Sequence, residues 1–393
     1  MRILVLCNCD PNDLANGMGL IVNHTLASLD RDFGIAADVI SLRYEGHRRD
    51  EVGQLFRRVS CAAEYVRRWP GKIEALRCLA NAGLSRTESE FLDHVQRISG
   101  DYAAVIWFGF GWDVVSRRLP SVCRVPILMH GNDSISLMES SLGPIGHLRR
   151  RLAERQERAI LNSGYRASVY VSVAEQRRLA QIGLGARTVA LPNGVDTGVF
   201  RPGIRETAAP PLNLLFVGVM NFRPNVDAVQ SFVAEVAPRL EAPVRLRIVG
   251  RDVAPEVRRL SLSPPHRLTI AGGVRDVVAE YQVADALVAP FWQCRGIKNK
   301  VLESLACGLP VIAAQSVLDA FGEPPAGVFP AASPAEFASV LDGLAAVPAR
   351  LEEKASMARH CAVERFSWKE RTARLLQLLQ VDPQPVSRER SAV

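Results

Sequence analysis

The sequence predicts an α/β protein made of two doubly wound domains. Three observations lead there. Short apolar runs alternate with amphipathic helical stretches along most of the chain. The alternation breaks at a Pro- and Ala-rich segment, Pro202 to Pro211, and restarts at Leu212. At 393 residues the chain is long enough for about two domains. The expected division is an N-terminal domain over 1–200, a linker over 201–211 and a C-terminal domain over 212–364. A helix over 365–380 could pack back on the first domain, and 381–393 would be a frayed tail.

In chain order, RILVLC at the start reads as a buried parallel strand. A glycine-bearing loop and a helix from about Leu20 to Leu29 follow, placing Gly17 and Gly19 at a strand-to-helix turn. Open α/β sheets bind ligands at such turns, beyond the carboxyl ends of the strands. The spacing is not GxGxxG, so no dinucleotide fingerprint is present. Asp30-Arg31-Asp32 reads as a solvated turn after that helix. Ala36 to Leu42 is a second strand. Glu51 to Ala82 reads as a basic amphipathic helix, suited to a solvated face or an anionic membrane. Tyr102 to Phe108 and Val125 to Gly131 are strands. His130, Asn132 and Asp133 cluster at the end of the second, a place where a histidine beside polar groups can be catalytic.

Leu148 to Leu161 is an Arg-rich helix carrying Arg149, Arg150, Arg151, Arg155 and Arg158, with Glu154 and Arg158 at pairing distance. Ser172 and Glu175 are spaced for a capping box. Asn193-Gly194 is a turn signal. After Leu212 the strands are NLLFVGV, VRLRIVG, HRLTIAGGV and DALVAPF. The helices are Asn225 to Leu240, Pro255 to Leu260 and Val277 to Val283. Arg365 to Gln380 is a final amphipathic helix.

The most informative stretch is CRGIKNKVLESLACGLPVIAA, Cys294 to Ala314. It reads as loop, helix and buried strand. Gly296 lets the backbone approach a ligand closely. Arg295, Lys298 and Lys300 gather at a helix start, where unpaired N–H groups and the helix dipole favour an anion. Glu303 lies one turn further in. Cations for a diphosphate and a carboxylate for ribose hydroxyls suit a nucleotide. An ordinary surface helix that begins with lysines is the alternative.

Composition narrows the function classes. Hydrophobic residues make up 48% and charged residues 23%, as in soluble globular proteins. No apolar run reaches the roughly 18 residues of a membrane span. No secretory signal is read at the N-terminus. Eight cysteines are sparse, and the Cys7–Cys9 pair has no partner pair at zinc spacing, so reduced thiols in a cytoplasmic protein are expected. The formal charge of +7 permits anionic partners. No nucleic-acid-binding module is recognisable.

From Ala167 to Leu379 the chain resembles the retaining glycosyltransferases of family 4. The motifs carrying the resemblance are VSVAEQRRLAQIG, LPNGVDTGVFRP, LLFVGVMNFRPNVDAV, LRIVGR, LTIAGGVRDVVAEYQVADALVAPF, GIKNKVLESLACGLPVIAA and ERFSWKERTARLL. GVMNFRPNVDAV with RGIKNKVLE is similar to a bacterial exopolysaccharide sugar-transferase branch. Two positions depart from the pattern: Arg295 stands where an acidic residue is common, and Val219 where a basic one is usual.

The resemblance implies the GT-B fold, two Rossmann-like domains facing across a cleft, and a nucleotide-sugar donor as cosubstrate with no further cofactor and no metal. Glu303 would bind ribose, and Gly296, Ile297, Lys298 and Asn299 would face the diphosphate. Gly273 and Val274 would border the base. Lys298, Lys300, Arg251 and Arg223 would share the phosphate contacts. Gly17 and Gly19 would approach from the other domain, with His130, Asn132 and Asp133 near the transferred sugar and acceptor. A saccharide, lipid-linked or natural-product acceptor is expected, with possible peripheral contact to the inner face of an anionic membrane. A nucleotide-sugar epimerase of the same layout and a non-catalytic nucleotide-sugar-binding protein remain as alternatives. An NAD(P) oxidoreductase lacks its glycine fingerprint.

Overall fold

The computed structural model describes residues 1–11, 17–44, 59–67, 84–109, 114–132, 134, 144–204, 210–294 and 296–381. The chain divides into two compact units: Met1–Leu191 with Trp368–Val393, and Pro192–Ser367.

The first unit has a seven-stranded parallel sheet in the order β3-β2-β1-β4-β5-β6-β7. Its strands are β1 (Arg2–Cys7), β2 (Ala36–Tyr44), β3 (Val59–Arg67), β4 (Ala104–Phe108), β5 (Ile127–Asn132), β6 (Ala167–Tyr170) and β7 (Thr188–Ala190). β4 and β6 are buried at every residue and β1 at all but its first, as strands covered on both faces must be. The helices are α1 (Gly17–Phe33), α2 (Arg86–Ile98), α3 (Val114–Val122), α4 (Pro144–Leu161) and α5 (Val173–Gln181). Ser85 caps α2 in a full capping box with Glu88.

Several sequence expectations are corrected in this unit. Within the stretch expected to be a basic helix, Val59–Arg67 is an edge strand paired with β2. Exposed Ser60, Glu64 and Val66 alternate with inward Val59, Ala63 and Tyr65, a period of two that the arginines at either end disguised. Tyr65 stacks edge-on against Phe91 of α2 at 5.6 Å. The remainder, 51–58 and 68–82, lies outside the described residues. α1 runs through Phe33, so Asp30-Arg31-Asp32 is its last turn, and Asp32 accepts from Ser28 Oγ at 2.8 Å. Ser172 precedes α5 without a side-chain cap, because Glu175 turns to the Ser134 amide at 3.2 Å. Glu154 pairs with Arg150 at 3.1 Å, while Arg158 donates to the Ile182 carbonyl at 3.0 Å.

The second unit has a six-stranded parallel sheet in the order β10-β9-β8-β11-β12-β13. Its strands are β8 (Leu212–Val217), β9 (Val244–Val249), β10 (Arg267–Gly272), β11 (Ala286–Ala289), β12 (Val311–Ala314) and β13 (Val328–Ala331). The helices that matter for the site are α6 (Arg223–Ser231), α7 (Pro255–Arg258), α8 (Val277–Val283) and α9 (Asn299–Ala306). Beyond it come α10 (Gln315–Leu318), α11 (Pro334–Ala346) and α12 (Ala349–Phe366). Strand order reverses between β8 and β11, so the crevice beyond their carboxyl ends is the topological switch point.

The boundary between units falls earlier than the expected linker. Pro192–Arg201 belongs to the second unit. Arg359 of α12 donates to the carbonyls of Thr197, Phe200 and Ala306, and Gln282 donates to that of Arg201. Residues 205–209 of the expected linker lie outside the described set. The expected helix over 365–380 is two elements: α12 ends at Phe366, and α13 (Trp368–Leu379) follows Ser367. α13 packs within the first unit, where Trp368 stacks on His24 of α1 at 4.8 Å.

Candidate functional site

The switch point of the second unit is built by β8, β11 and the helices that follow them. Phe216 near the end of β8 and Phe291 just past β11 lie with ring centres 5.8 Å apart. From Cys294 the chain turns through Gly296, whose φ of +61° is left-handed and suits glycine. Ile297 then packs onto the hydrophobic core, and Lys298 takes the N-cap position of α9. The Lys298 carbonyl accepts from the Val301 N–H at 2.9 Å, and a helix start of this kind suits an anion.

α9 is amphipathic. Val301, Leu302 and Leu305 are fully buried against the sheet, and the opposite side carries the polar groups. The Lys300 ammonium lies 4.3 Å from the Phe216 ring centre and 4.8 Å from that of Phe291. It donates to Asn225 Oδ1 of α6 at 2.8 Å. Lys298 shares the Phe291 ring at 5.4 Å. Burial, and secondarily the Lys298 charge, lower the Lys300 pKa from 10.5 to about 7. Two ammoniums so close repel each other, the aromatic faces offset part of that repulsion, and an anion would relieve the rest.

One turn along α9, Glu303 accepts from the hydroxyl of fully buried Tyr281 at 2.7 Å. Burial raises the Glu303 pKa, opposed by the Tyr281 hydrogen bond and by Lys300. Asn299 accepts from Asn193 Nδ2 at 3.0 Å, and Asn193 Oδ1 is buried without a partner among the described residues.

Glycine makes this convergence possible. A Cβ on Gly218 would sit 2.6 Å from Asn225 Nδ2 and 2.9 Å from Lys300 Nζ. A Cβ on Gly250 would lie 1.6 Å from the Gly218 carbonyl oxygen. The ends of β8 and β9 therefore close together only with glycine at both.

The structure places Gly296, Ile297, Lys298, Asn299, Lys300 and Glu303 together on the α9 loop and helix. Arg223, Arg251, Gly273 and Val274 lie at the ends of neighbouring strands or helix starts in the same unit. Arg223 is 71% exposed and paired with Asp227 at 2.6 Å. Arg251 is 62% exposed and 3.5 Å from Asp252. Gly273 is exposed at the end of β10, and Val274 is half-buried on the core. Arg295 lies outside the described residues.

Sequence reasoning missed Phe216, Gly218, Asn225, Tyr281 and Phe291. All five stood in the sequence as parts of strand or helix patterns. Only the reversal of strand order brings them together. Asn193 was read as a turn residue alone.

In the first unit Gly17 and Gly19 lie in the opening turn of α1 rather than in the loop before it, and Gly19 is buried. The helix begins earlier than its apolar periodicity shows. Asn132 ends β5, and Asp133 lies outside the described residues. His130 is not at the strand tip: it is inside β5, fully buried and stacked on Phe108 at 5.3 Å. Its Nε2 meets a guanidinium nitrogen of Arg371 from α13. A guanidinium only donates, so Nε2 accepts and the ring proton is on Nδ1. Nδ1 is buried with no hydrogen-bond partner among the described residues. Burial and the Arg371 charge hold the His130 pKa well below its usual value, and burial lowers Arg371 to about 9. Neutral His130 thus offers no free base at Nε2, which Arg371 occupies. Nothing in the strand sequence pointed to a partner 241 positions away.

Residues 211–346, the sheet and helices just described, match the family model for glycosyl transferases, group 1. Among solved structures, Anabaena HepE in complex with UDP and glucose superposes with a TM-score of 0.66 at 16% identity, covering 97% of this chain and 99% of that one. Sucrose-phosphate synthase from Thermosynechococcus elongatus gives 0.69 at 18% identity, covering 97% and 98%. The fold is GT-B. A curated relative, D-inositol 3-phosphate glycosyltransferase of Segniliparus rotundus, is 30% identical over 141 residues. That alignment spans 32% of this GT-B chain and 31% of the relative. Among the described residues, no helix is long and apolar enough to cross a membrane.

Proposed function

We propose that this chain is a glycosyltransferase that moves a sugar from a nucleotide-sugar donor to an acceptor hydroxyl with retention of configuration. One observation carries the reading. Lys298, Lys300 and the α9 helix start converge at the switch point of the second unit, with Glu303 one turn behind them. The diphosphate would lie against the cations, Glu303 would take the ribose hydroxyls, and Gly273 and Val274 would border the base. The match of this segment to group 1 glycosyl transferases supports the same reading, as does a fold shared with a structure holding UDP and glucose.

The chemistry follows from charge. The bond from the sugar C1 to the diphosphate oxygen breaks, and negative charge grows on that oxygen. Fixed N–H groups and ammoniums aimed there stabilise the transition state more than the bound donor. The acceptor oxygen forms its bond to C1 on the same face, and its proton passes to the leaving phosphate. The cations take the place a metal would fill, and the reaction is proposed to need none. His130, Asn132 and Asp133 of the first unit are proposed to serve the transferred sugar and acceptor, with His130 as a hydrogen-bond donor.

The acceptor is proposed to be a saccharide, above all a lipid-linked one. Helix α4 supports a membrane surface: Arg149, Arg151, Arg155 and Arg158 are exposed, and Leu148 among them is 59% exposed. The test is a screen of nucleotide sugars for nucleoside diphosphate release, with and without a lipid extract and with and without chelator. Acceptor-dependent release that survives chelator is expected. Interconversion of free nucleotide sugars without acceptor would point to an epimerase, and binding without turnover to a non-catalytic protein. Replacing Arg149, Arg150 and Arg151 by Gln should reduce co-sedimentation with phosphatidylglycerol vesicles; unchanged sedimentation removes the membrane contact.

A further inference from the structure

The cation at the switch point is not held by the helix that carries it. Lys300 leaves α9 and reaches across to α6, where Asn225 Oδ1 accepts from its ammonium at 2.8 Å. The amide has a defined orientation. Asn225 Nδ2 donates to the Val219 carbonyl at 2.9 Å, which turns Oδ1 toward the lysine. Asn225 is itself 7% exposed, so its side chain cannot swing into solvent. Gly218 supplies the space that lets amide and ammonium meet. Phe216 and Phe291 line two further sides, and Lys300 stays partly exposed. At position 219, where the family resemblance leads one to expect a basic residue, this chain has Val219, whose carbonyl accepts from Asn225 Nδ2 and from the Phe222 N–H.

We propose that Asn225 is a positioning residue, which fixes the Lys300 ammonium at the switch point and makes Lys300 the principal cation for the donor's diphosphate. This rests on the nucleotide-sugar reading above and deepens it. Among the described residues, the charged or titratable groups bearing on Lys300 are Lys298, Glu303 and Cys294. An amide oxygen favours the charged ammonium without neutralising it, which a carboxylate at 225 would do. The cation is thereby kept for a ligand.

The experiment compares wild type, Asn225→Ala and Asn225→Asp in two measurements. The first is trace acylation of lysine amines across pH 5 to 10, read at Lys300 by peptide mass spectrometry, since only the neutral amine reacts. Loss of the amide oxygen should lower the Lys300 midpoint by about half to one pH unit, and a carboxylate should raise it. A residue with a merely structural role would move neither midpoint, or both the same way. Either result overturns the proposal.

The second measurement is calorimetric titration with UDP. Asn225→Ala should weaken binding by roughly 2- to 10-fold, and Asn225→Asp should weaken it further by repelling the diphosphate. Binding of UDP unaltered in both variants also overturns the proposal. Midpoints that move in opposite directions, in a protein that binds no nucleoside diphosphate, would uphold the positioning role and sink the donor reading. Should Asn225→Ala fail to fold, Asn225→Ser keeps a short polar group beside Val219 and serves the same comparison.

Discussion

Glu303 offers the sharpest test of the donor site. Its Oε2 already accepts from Tyr281 at 2.7 Å. A carboxylate has about four lone-pair sites, so the group retains acceptor capacity for a ribose hydroxyl. A hydrogen bond to a charged group is worth about 1.5–3 kcal/mol, so Glu303→Ala should raise the UDP Kd roughly 10- to 150-fold. That substitution also strands the buried Tyr281 hydroxyl, at about 1–3 kcal/mol of stability. Glu303→Gln separates the two effects, because its amide oxygen still accepts from Tyr281.

The sign of the pH effect supports that choice. Burial raises the Glu303 pKa above its ordinary 4.5. The group's contribution to stability is full below the unfolded value and is lost as pH rises through the folded one. Burial penalises a carboxylate's charge but not an amide, so the Gln variant should melt at or above wild type. Binding should still weaken roughly 3- to 12-fold, since a neutral acceptor is worth about half a charged one. Calorimetry with UDP and differential scanning at pH 7 read both quantities. UDP affinity within twofold of wild type in both the Ala and Gln variants would refute the placement of ribose on α9.

Other outcomes follow from neighbouring groups. The Lys300 pKa near 7 is depressed in the free protein, and an anion should raise it; UDP binding above pH 7 should therefore take up a proton, seen as a buffer-dependent binding enthalpy, and should weaken as pH rises. Gly218→Ala places a methyl 2.9 Å from Lys300 Nζ and 2.6 Å from Asn225 Nδ2; UDP binding should fall at least tenfold while the melting temperature drops by only a few degrees, about 1–2 kcal/mol. Arg371→Met should leave UDP affinity unchanged, because Lys300 and Glu303 belong to the other unit, yet should reduce turnover; nitrogen-15 spectra of His130 should lose the pure Nδ1–H form.

The two doubly wound sheets were legible because parallel strands covered on both faces are continuous apolar runs, as in Ile3–Cys7 and Ala104–Phe108. The α9 stretch was legible because glycine, lysines and a carboxylate stand close in sequence. The strand Val59–Arg67 was not, since the arginines at its two ends, Arg57, Arg58, Arg67 and Arg68, set among apolar residues, imitate a helical face. The partners of the key side chains were illegible for a different reason. Asn225 is 75 positions from Lys300, Tyr281 is 22 from Glu303 and Arg371 is 241 from His130. Local periodicity says that such residues are inside but not whom they meet.

The return of α13 to the first unit has a consequence for biosynthesis. The second unit is one continuous stretch and can close as soon as Ser367 has left the ribosome. The first unit begins earlier but must wait for residues 368–379. Until they arrive, His24, Ser28 and His130 lack Trp368 and Arg371. The half of the chain translated first is therefore the half completed last, and a nascent chain stalled before residue 368 would display that unfinished face to chaperones.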